Sequence, residues 1–486
     1  MRIHKLVFAF LVFVFFVSSC SNDKQSKETS VLDENLSKLT EDEVKVLVRM
    51  RNPKNRVSVE EAVKQTDWVI DFMNVGESSV SRKISSISAL TSDNAEFIKA
   101  LKSKGIEVPD TLIYVVNFAD SLGFAIISAD TRIDDPLIGF SGSGFLKDSI
   151  DNPGMIIFLE HLEDYMQNSI IEAERQKDSL IGGIWEKLDV ETGTKATSQP
   201  SISVSSPEAT GIVYPLVHVE WDQVAPFNNS LKDKNCYGKG TANNGKVKVG
   251  CVAVAVAQIM SYWKYPAKIG KYSFDWAELN KYTGNRNPLS YRDMAQTHID
   301  KADNSIKSQV ANLMMLISNG VGMDYGCKES TANKFSGPSF LLANGFSLES
   351  NIYAVGTGAA LIGYDPKKAI ASIKREEPLI VRGCDKKTDY KLFGLIHIYT
   401  NYTGCHQWVI DGYIPRRTTV KIGNISTSYD SDYIHNNWGW GGIDNGYFES
   451  GIFNSNLTPI NPVQKTKSYE EYNFRYEVLM TPYIRR

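Results

Sequence analysis

Residues 249–266 read VGCVAVAVAQIMSYWKYP, and the fold turns on whether this run is strand or helix. Val252 to Ala257 alternates valine with alanine, the period of two that a strand shows. The length of the run from Cys251 to Trp263, the helix-tolerant Gln258, Met260 and Ser261, and a first proline only at Pro266 outweigh that alternation. Together they predict a mostly buried helix with Gly250 just ahead of its first turn. A cysteine at a helix N-terminus meets unpaired amides and the positive end of the macrodipole, and both favour thiolate over thiol. The competing role for Cys251 is that of a small apolar core residue.

Two later segments offer partners for a nucleophile. TGCHQWVIDGY, Thr403 to Tyr413, places a histidine at the start of a β-branched and aromatic strand. Strand alternation then turns His406, Trp408 and Ile410 to one face and Gln407, Val409 and Asp411 to the other. IHNNWGWGGIDNGYF, Ile434 to Phe448, reads as a short strand and a glycine-rich turn carrying Trp438 and Trp440. An imidazole acting as base needs an acceptor on its second nitrogen, and either Asn436 or Asn437 can supply one without becoming a competing acid.

Further out, the chain divides into segments. Its 486 residues imply two or more globular units, because single cores stop growing near about 250–300 residues. Residues 1–20, MRIHKLVFAFLVFVFFVSSC, combine a basic start, an apolar run and small residues before a cysteine. That is the layout of a secretory signal over 1–19, too short for a permanent membrane span. Its VSSC end resembles a lipobox, so Cys20 is expected to carry lipid and to tether an exported protein to a membrane. Residues 20–40 are polar and aperiodic, as a flexible tether is. Ser58 and Glu61 form a capping-box pattern ahead of the helical stripe Ala62, Val63, Val69, Ile70 and Met73. LIYVVNFA (112–119) and GFAIISAD (123–130) read as a hairpin. Residues 41–190 are therefore expected to form a small α+β domain. Residues 191–210 are rich in Ser, Thr and Pro and are the best internal boundary, either an inert linker or a place where proteases cut. Residues 211–486 hold the candidate chemistry.

A net charge of −3 gives no reason to expect nucleic acid as a partner. Composition excludes collagen-like, disordered and disulfide-scaffold classes. Cys236, Cys327, Cys384 and Cys405 allow one or two disulfides, whose pairing the sequence does not give. His397, Cys405, His406 and His435 lack compact metal-ligand spacing, and no phosphate loop or Gly-x-Ser-x-Gly elbow is present, so no metal or cofactor is expected.

Taken together, GCVAVAVAQIMSYWKYP around Cys251, CHQWVIDGY around His406 and NWGWGGIDNGYF from Asn437 resemble the papain superfamily, and more closely the streptopain family of secreted bacterial cysteine peptidases. YPLVHVEWDQVAPFNN, Tyr214 to Asn229, resembles the start of that family's mature enzyme, and GFAIISADTRIDDPLIGFSGSG, Gly123 to Gly144, its propeptide. The resemblance implies an α+β architecture: a papain-like catalytic domain whose helical part carries the cysteine and whose antiparallel sheet carries the histidine, behind an α+β propeptide that inhibits it. It implies Cys251 as nucleophile, His406 as general base and then acid, and Gln223 as oxyanion donor beside the Cys251 N–H. It also implies Asn437 or its neighbour Asn436 as the orienting group, Trp438 as a shield over the pair, and proteins or peptides as substrates. Cys405 departs from the pattern, where glycine or another small residue is expected.

Magnitudes say what each group must contribute. A thiol of pKa about 8.5 is only about 3% ionised at pH 7, so full ionisation gains at most roughly 30-fold. Enzymes reach about 10⁶-fold or more. Positioning, proton donation by His406 and the oxyanion donors must supply the rest. Two other readings compete: a Cys-dependent cell-wall amidase or transglutaminase-like acyltransferase, and an inactive peptide-binding surface lipoprotein. The propeptide-like first domain argues against the former, and the joint presence of Cys251, His406 and Gln223 against the latter.

Overall fold

A computed structural model describes residues 38–74, 81–147, 149–188, 202–204, 207–283, 297–348, 361–384, 391–392, 396–398, 405–422, 425–454 and 478–486. The signal, Cys20 and most of the tether lie outside the described residues, as does much of 191–210.

The N-terminal part contains helices α1 (Glu41–Arg49) and α2 (Val59–Asn74), strand β1 (Ile84–Leu90), helix α3 (Ala95–Ser103), strands β2 (Ile113–Phe118), β3 (Phe124–Ser128) and β4 (Leu137–Ser141), and the 35-residue helix α4 (Pro153–Lys187). The capping box ahead of α2 is present: Glu61 N–H donates to Ser58 Oγ at 3.2 Å and Ser58 N–H to the Glu61 carboxylate at 2.8 Å. β2 and β3 form the expected antiparallel hairpin. Helix α4 begins at Pro153 behind Asn152, whose side chain accepts from the N–H groups of Gly154 and Met155.

The C-terminal part supplies helices α5 (Cys251–Trp263), α6 (Asn304–Gly320), α7 (Ser336–Ala343) and α8 (Pro366–Ile373). Its strands are β5 (Leu379–Cys384), β6 (Cys405–Ile422), β7 (Ile425–Asn437), β8 (Gly446–Glu449) and β9 (Leu479–Thr481). The two parts share one antiparallel sheet, ordered β1-β2-β3-β4-β8-β7-β6-β5-β9 with Ile362–Gly363 beyond. The junction is β4 against β8, with Ser141 opposite Gly446, Phe140 opposite Tyr447 and Gly139 opposite Phe448.

Alternation along β6 sorts the core into two faces. Trp408 and Ile410 pack in a cluster with Met155, Phe158 and Leu162 of α4, while Val409 packs with the α5 residues Val252, Val256 and Met260. Residues 202–204 and 208–209 differ from the expected exposed linker: both pair with the outer half of β6. The long β6–β7 hairpin runs on past the other strands, and its open edge takes up these backbone groups, which no apolar pattern announces.

Candidate active site

Gly250 caps α5 with φ of 93°, and a side chain there would come within 2.5 Å of the Met323 methyl. The close turn sets Cys251 as the first residue of the helix, buried, with its thiol facing the Cys405 carbonyl at 3.8 Å. Burial pushes the thiol pKa up, against the Arg382 guanidinium and the N–H groups of Gln407 and Val252, which pull it down. The amides at the helix end do favour thiolate, but in this form of the protein desolvation outweighs them.

His406 is the second residue of β6 and is 3% exposed. Burial lowers its pKa to about 4; the Trp438 carbonyl works against that shift and Arg382 adds to it. A protonated thiol and a neutral imidazole therefore face physiological pH, and no hydrogen bond joins them. The His406 ring lies parallel to Trp408 at 6.1 Å and meets Trp440 edge-on at 6.5 Å.

Neither asparagine orients the imidazole. His406 Nε2 lies 2.7 Å from the main-chain oxygen of Trp438 and donates to it, which leaves Nδ1 as the proton acceptor. Asn436 is occupied by Trp408, whose indole N–H it accepts at 2.8 Å. Asn437 accepts from Gln258 Nε2 of α5 at 2.7 Å and donates to the Val219 carbonyl at 2.9 Å. The reason is geometric: β7 ends at Asn437, and the turn that follows directs the Trp438 carbonyl, not either amide, at the ring. Trp438 does not shield the pair with its indole either. That indole packs on Trp408, Phe448 and Gly154, and its N–H is taken by the Asp444 carbonyl.

Gln223 is 5% exposed, and its carbonyl accepts from the Val249 N–H at 3.0 Å, which ties its segment to the approach of the cysteine helix. Val219 O accepts from both Gln258 and Asn437, so the 219–223 segment, α5 and the Trp438 turn are bound to one another. Two disulfides frame the site: Cys236–Cys327, and Cys384–Cys405 joining the ends of β5 and β6 one residue from His406. Among the described residues Cys251 is the free cysteine. Sequence reading missed Arg382, whose charge reaches both Cys251 and His406; its signal is a charge within the apolar strand LIVRGC.

Residues 221–448 match the model of the Peptidase C10 family, and residues 56–166 match that of the Spi protease inhibitor. Streptopain from Streptococcus pyogenes serotype M1 is 26% identical over 379 residues, covering 74% of this chain and 79% of its own. The thiol protease/hemagglutinin PrtT of Porphyromonas gingivalis is 24% identical over 379 residues, which span 75% of this chain and 37% of PrtT. A solved fragment of prointerpain A from Prevotella intermedia is 20% identical and covers 78% of this chain and 96% of its own, with a TM-score of 0.42. Residues 221–448, which include Cys251 and His406, thus belong to the Peptidase C10 family of cysteine peptidases and follow a Spi-type inhibitor domain over residues 56–166.

Proposed function

We propose that this structure is the latent proenzyme of an exported cysteine endopeptidase, in which Cys251 attacks the scissile carbonyl and His406 first accepts the thiol proton and then gives it to the leaving amine. The observation that carries this reading is that the inhibitor-like domain is built into the catalytic sheet through β4 and β8 while thiol and imidazole remain unjoined. Gln223 and the Cys251 N–H would bind the oxyanion. Trp438 holds the imidazole through its carbonyl.

Residues 41–190 then act as an intramolecular inhibitor, cleavage falls in 191–210, and 211–486 form the mature enzyme. Residues 1–19 direct export, and Cys20 carries the lipid that anchors the precursor. Intact mass followed over time under reducing conditions tests the reading on residues 21–486, wild type beside Cys251→Ala. The wild type is expected to lose the first domain with a new N-terminus within 191–212, and the variant to stay whole. Persistence of the intact wild type, even with a trace of matured enzyme added, sinks the self-processing zymogen. Incorporation of a labelled fatty acid that survives Cys20→Ala sinks the anchor.

A further inference from the structure

Lys248 lies just ahead of the nucleophile and is 6% exposed, an unusual depth for an ammonium group. Its backbone is fixed: its N–H donates to Gly326 O at 3.2 Å and its carbonyl accepts from Ser330 Oγ at 2.8 Å. Its Nζ is held over the ring of Trp440, 4.9 Å from the centroid, and makes no ion pair with a described carboxylate. The charges that act on it from further away are Asp222, Glu329 and Asp151.

These three carboxylates are not equivalent. Asp222 accepts from the Gln223 N–H at 2.6 Å and packs against Gly441, so it serves the turn that carries Gln223. Glu329 is partly desolvated, which favours its neutral form. Asp151 belongs to the inhibitor-like part, beside the cap of α4, and departs when that part is removed. Trp440 also lines a cavity of about 350 Å³ whose other wall is the inhibitor-like segment around Gly144, Lys147 and Asp151. Removal of that segment uncovers the face of Trp440 on the cavity side and leaves the Lys248 cation stacked on that ring with one balancing charge fewer. Such a cation gains from a new carboxylate, since charge-assisted hydrogen bonds are the strong ones.

We propose that Lys248 and the face of Trp440 form a subsite for an acidic side chain of the substrate, beside the cavity that the inhibitor-like segment around Asp151 walls in the proenzyme. The side of the scissile bond follows from the chemistry: His406 protonates the leaving amine, and Trp440 is in edge contact with His406, so the subsite takes a residue of the leaving half. The inference rests on the peptidase roles given above to Cys251 and His406.

The test is made on matured enzyme with paired peptides that carry Glu or Gln at the first or second position after the cleaved bond and are otherwise identical. The wild type is expected to favour the Glu peptide about tenfold in kcat/KM, the scale of one charge-assisted contact. Lys248→Arg keeps that preference, and Lys248→Met brings the ratio near one. A wild-type ratio near one at both positions overturns the subsite whatever the variants do, and an unchanged ratio in Lys248→Met assigns Lys248 to structure alone. If the wild type cuts neither peptide nor any unstructured protein, the peptidase roles fall and the subsite with them; cleavage without charge preference removes the subsite only.

Discussion

The cluster around helix α5 and the cluster around the Trp438 turn differ in where their side chains come from. Every member of the first, from Val217 to Ile484, lies in the C-terminal part of the chain, so Cys251 is mounted in a core that this part supplies by itself. The second cluster mixes Trp408, Ile410, Ile434, Trp438 and Phe448 with Met155, Ile156, Phe158 and Leu159 of α4 and with strand residues of the first domain. His406 thus depends on both halves of the chain, and Cys251 on one. Latency of this kind does not need a plug over the thiol. On the proposed function, it is enough that the imidazole's surroundings are completed by residues that maturation would remove.

Perturbations confined to one cluster sharpen the contrast. On the nucleophile side, Gln223→Ala is expected to lower kcat of the matured enzyme by about 10²–10³-fold while alkylation of Cys251 by iodoacetamide proceeds nearly as before. Equal loss of turnover and alkylation would instead place Gln223 in the packing of the thiol. On the histidine side, Gly154→Leu forces a side chain into the Trp438 ring, which a Cβ alone would approach to 2.2 Å, at a cost of about 1–3 kcal/mol. Hydrogen exchange in the proenzyme should then quicken over 434–448 and not over 251–263, and maturation should accelerate; protection lost evenly over both stretches would dissolve the distinction.

The bridge between the two clusters is Asn437, which holds both Gln258 and Val219. Asn437→Ala leaves buried polar groups unpaired at about 1–3 kcal/mol, and urea unfolding should show it in proenzyme and mature enzyme alike. A loss seen in the proenzyme alone would contradict a bridge internal to the peptidase.

The smallest effect is that of pH. His406 has a folded pKa of about 4 against an ordinary 6.5, so the folded proenzyme binds fewer protons than the unfolded chain between those values. Its stability therefore falls as pH drops through 6.5 towards 4, by about 1 kcal/mol at pH 6. His406→Gln in a Cys251→Ala background should remove that part of the slope in unfolding curves measured from pH 8 to pH 5. An identical slope would show that other groups carry it.

Much of the thiol side was legible because its determinants are local. Helix length, Gly250 and the position of Pro266 fixed the element, and the capping box and the hairpin of the first domain were readable for the same reason. The histidine side was legible only in outline. His406 opens its strand as alternation required, but its acceptor is a main-chain carbonyl, a group that every residue carries and no side chain advertises. Asn436 and Asn437 looked apt by chemistry and are spent on Trp408 and Gln258, partners that only the fold brings near. Strand pairings such as β4 with β8, or 202–204 with β6, are likewise backbone events between segments far apart in sequence. The Cys384–Cys405 bridge explains the departure at Cys405, since the two cysteines are register partners on β5 and β6.

The pairing of β4 with β8 has a consequence for how the peptidase comes to be folded at all. While the first domain is present, the Gly446–Glu449 strand is an interior strand with its amides and carbonyls satisfied on both sides. A chain synthesised without residues 41–190 must assemble the same sheet with that strand as a raw border and the aromatic face beneath α4 open to water, conditions that invite joining to other chains. The inhibitor is in this sense also a template: made first, it can present a finished edge on which the last-made strands of the enzyme are laid down.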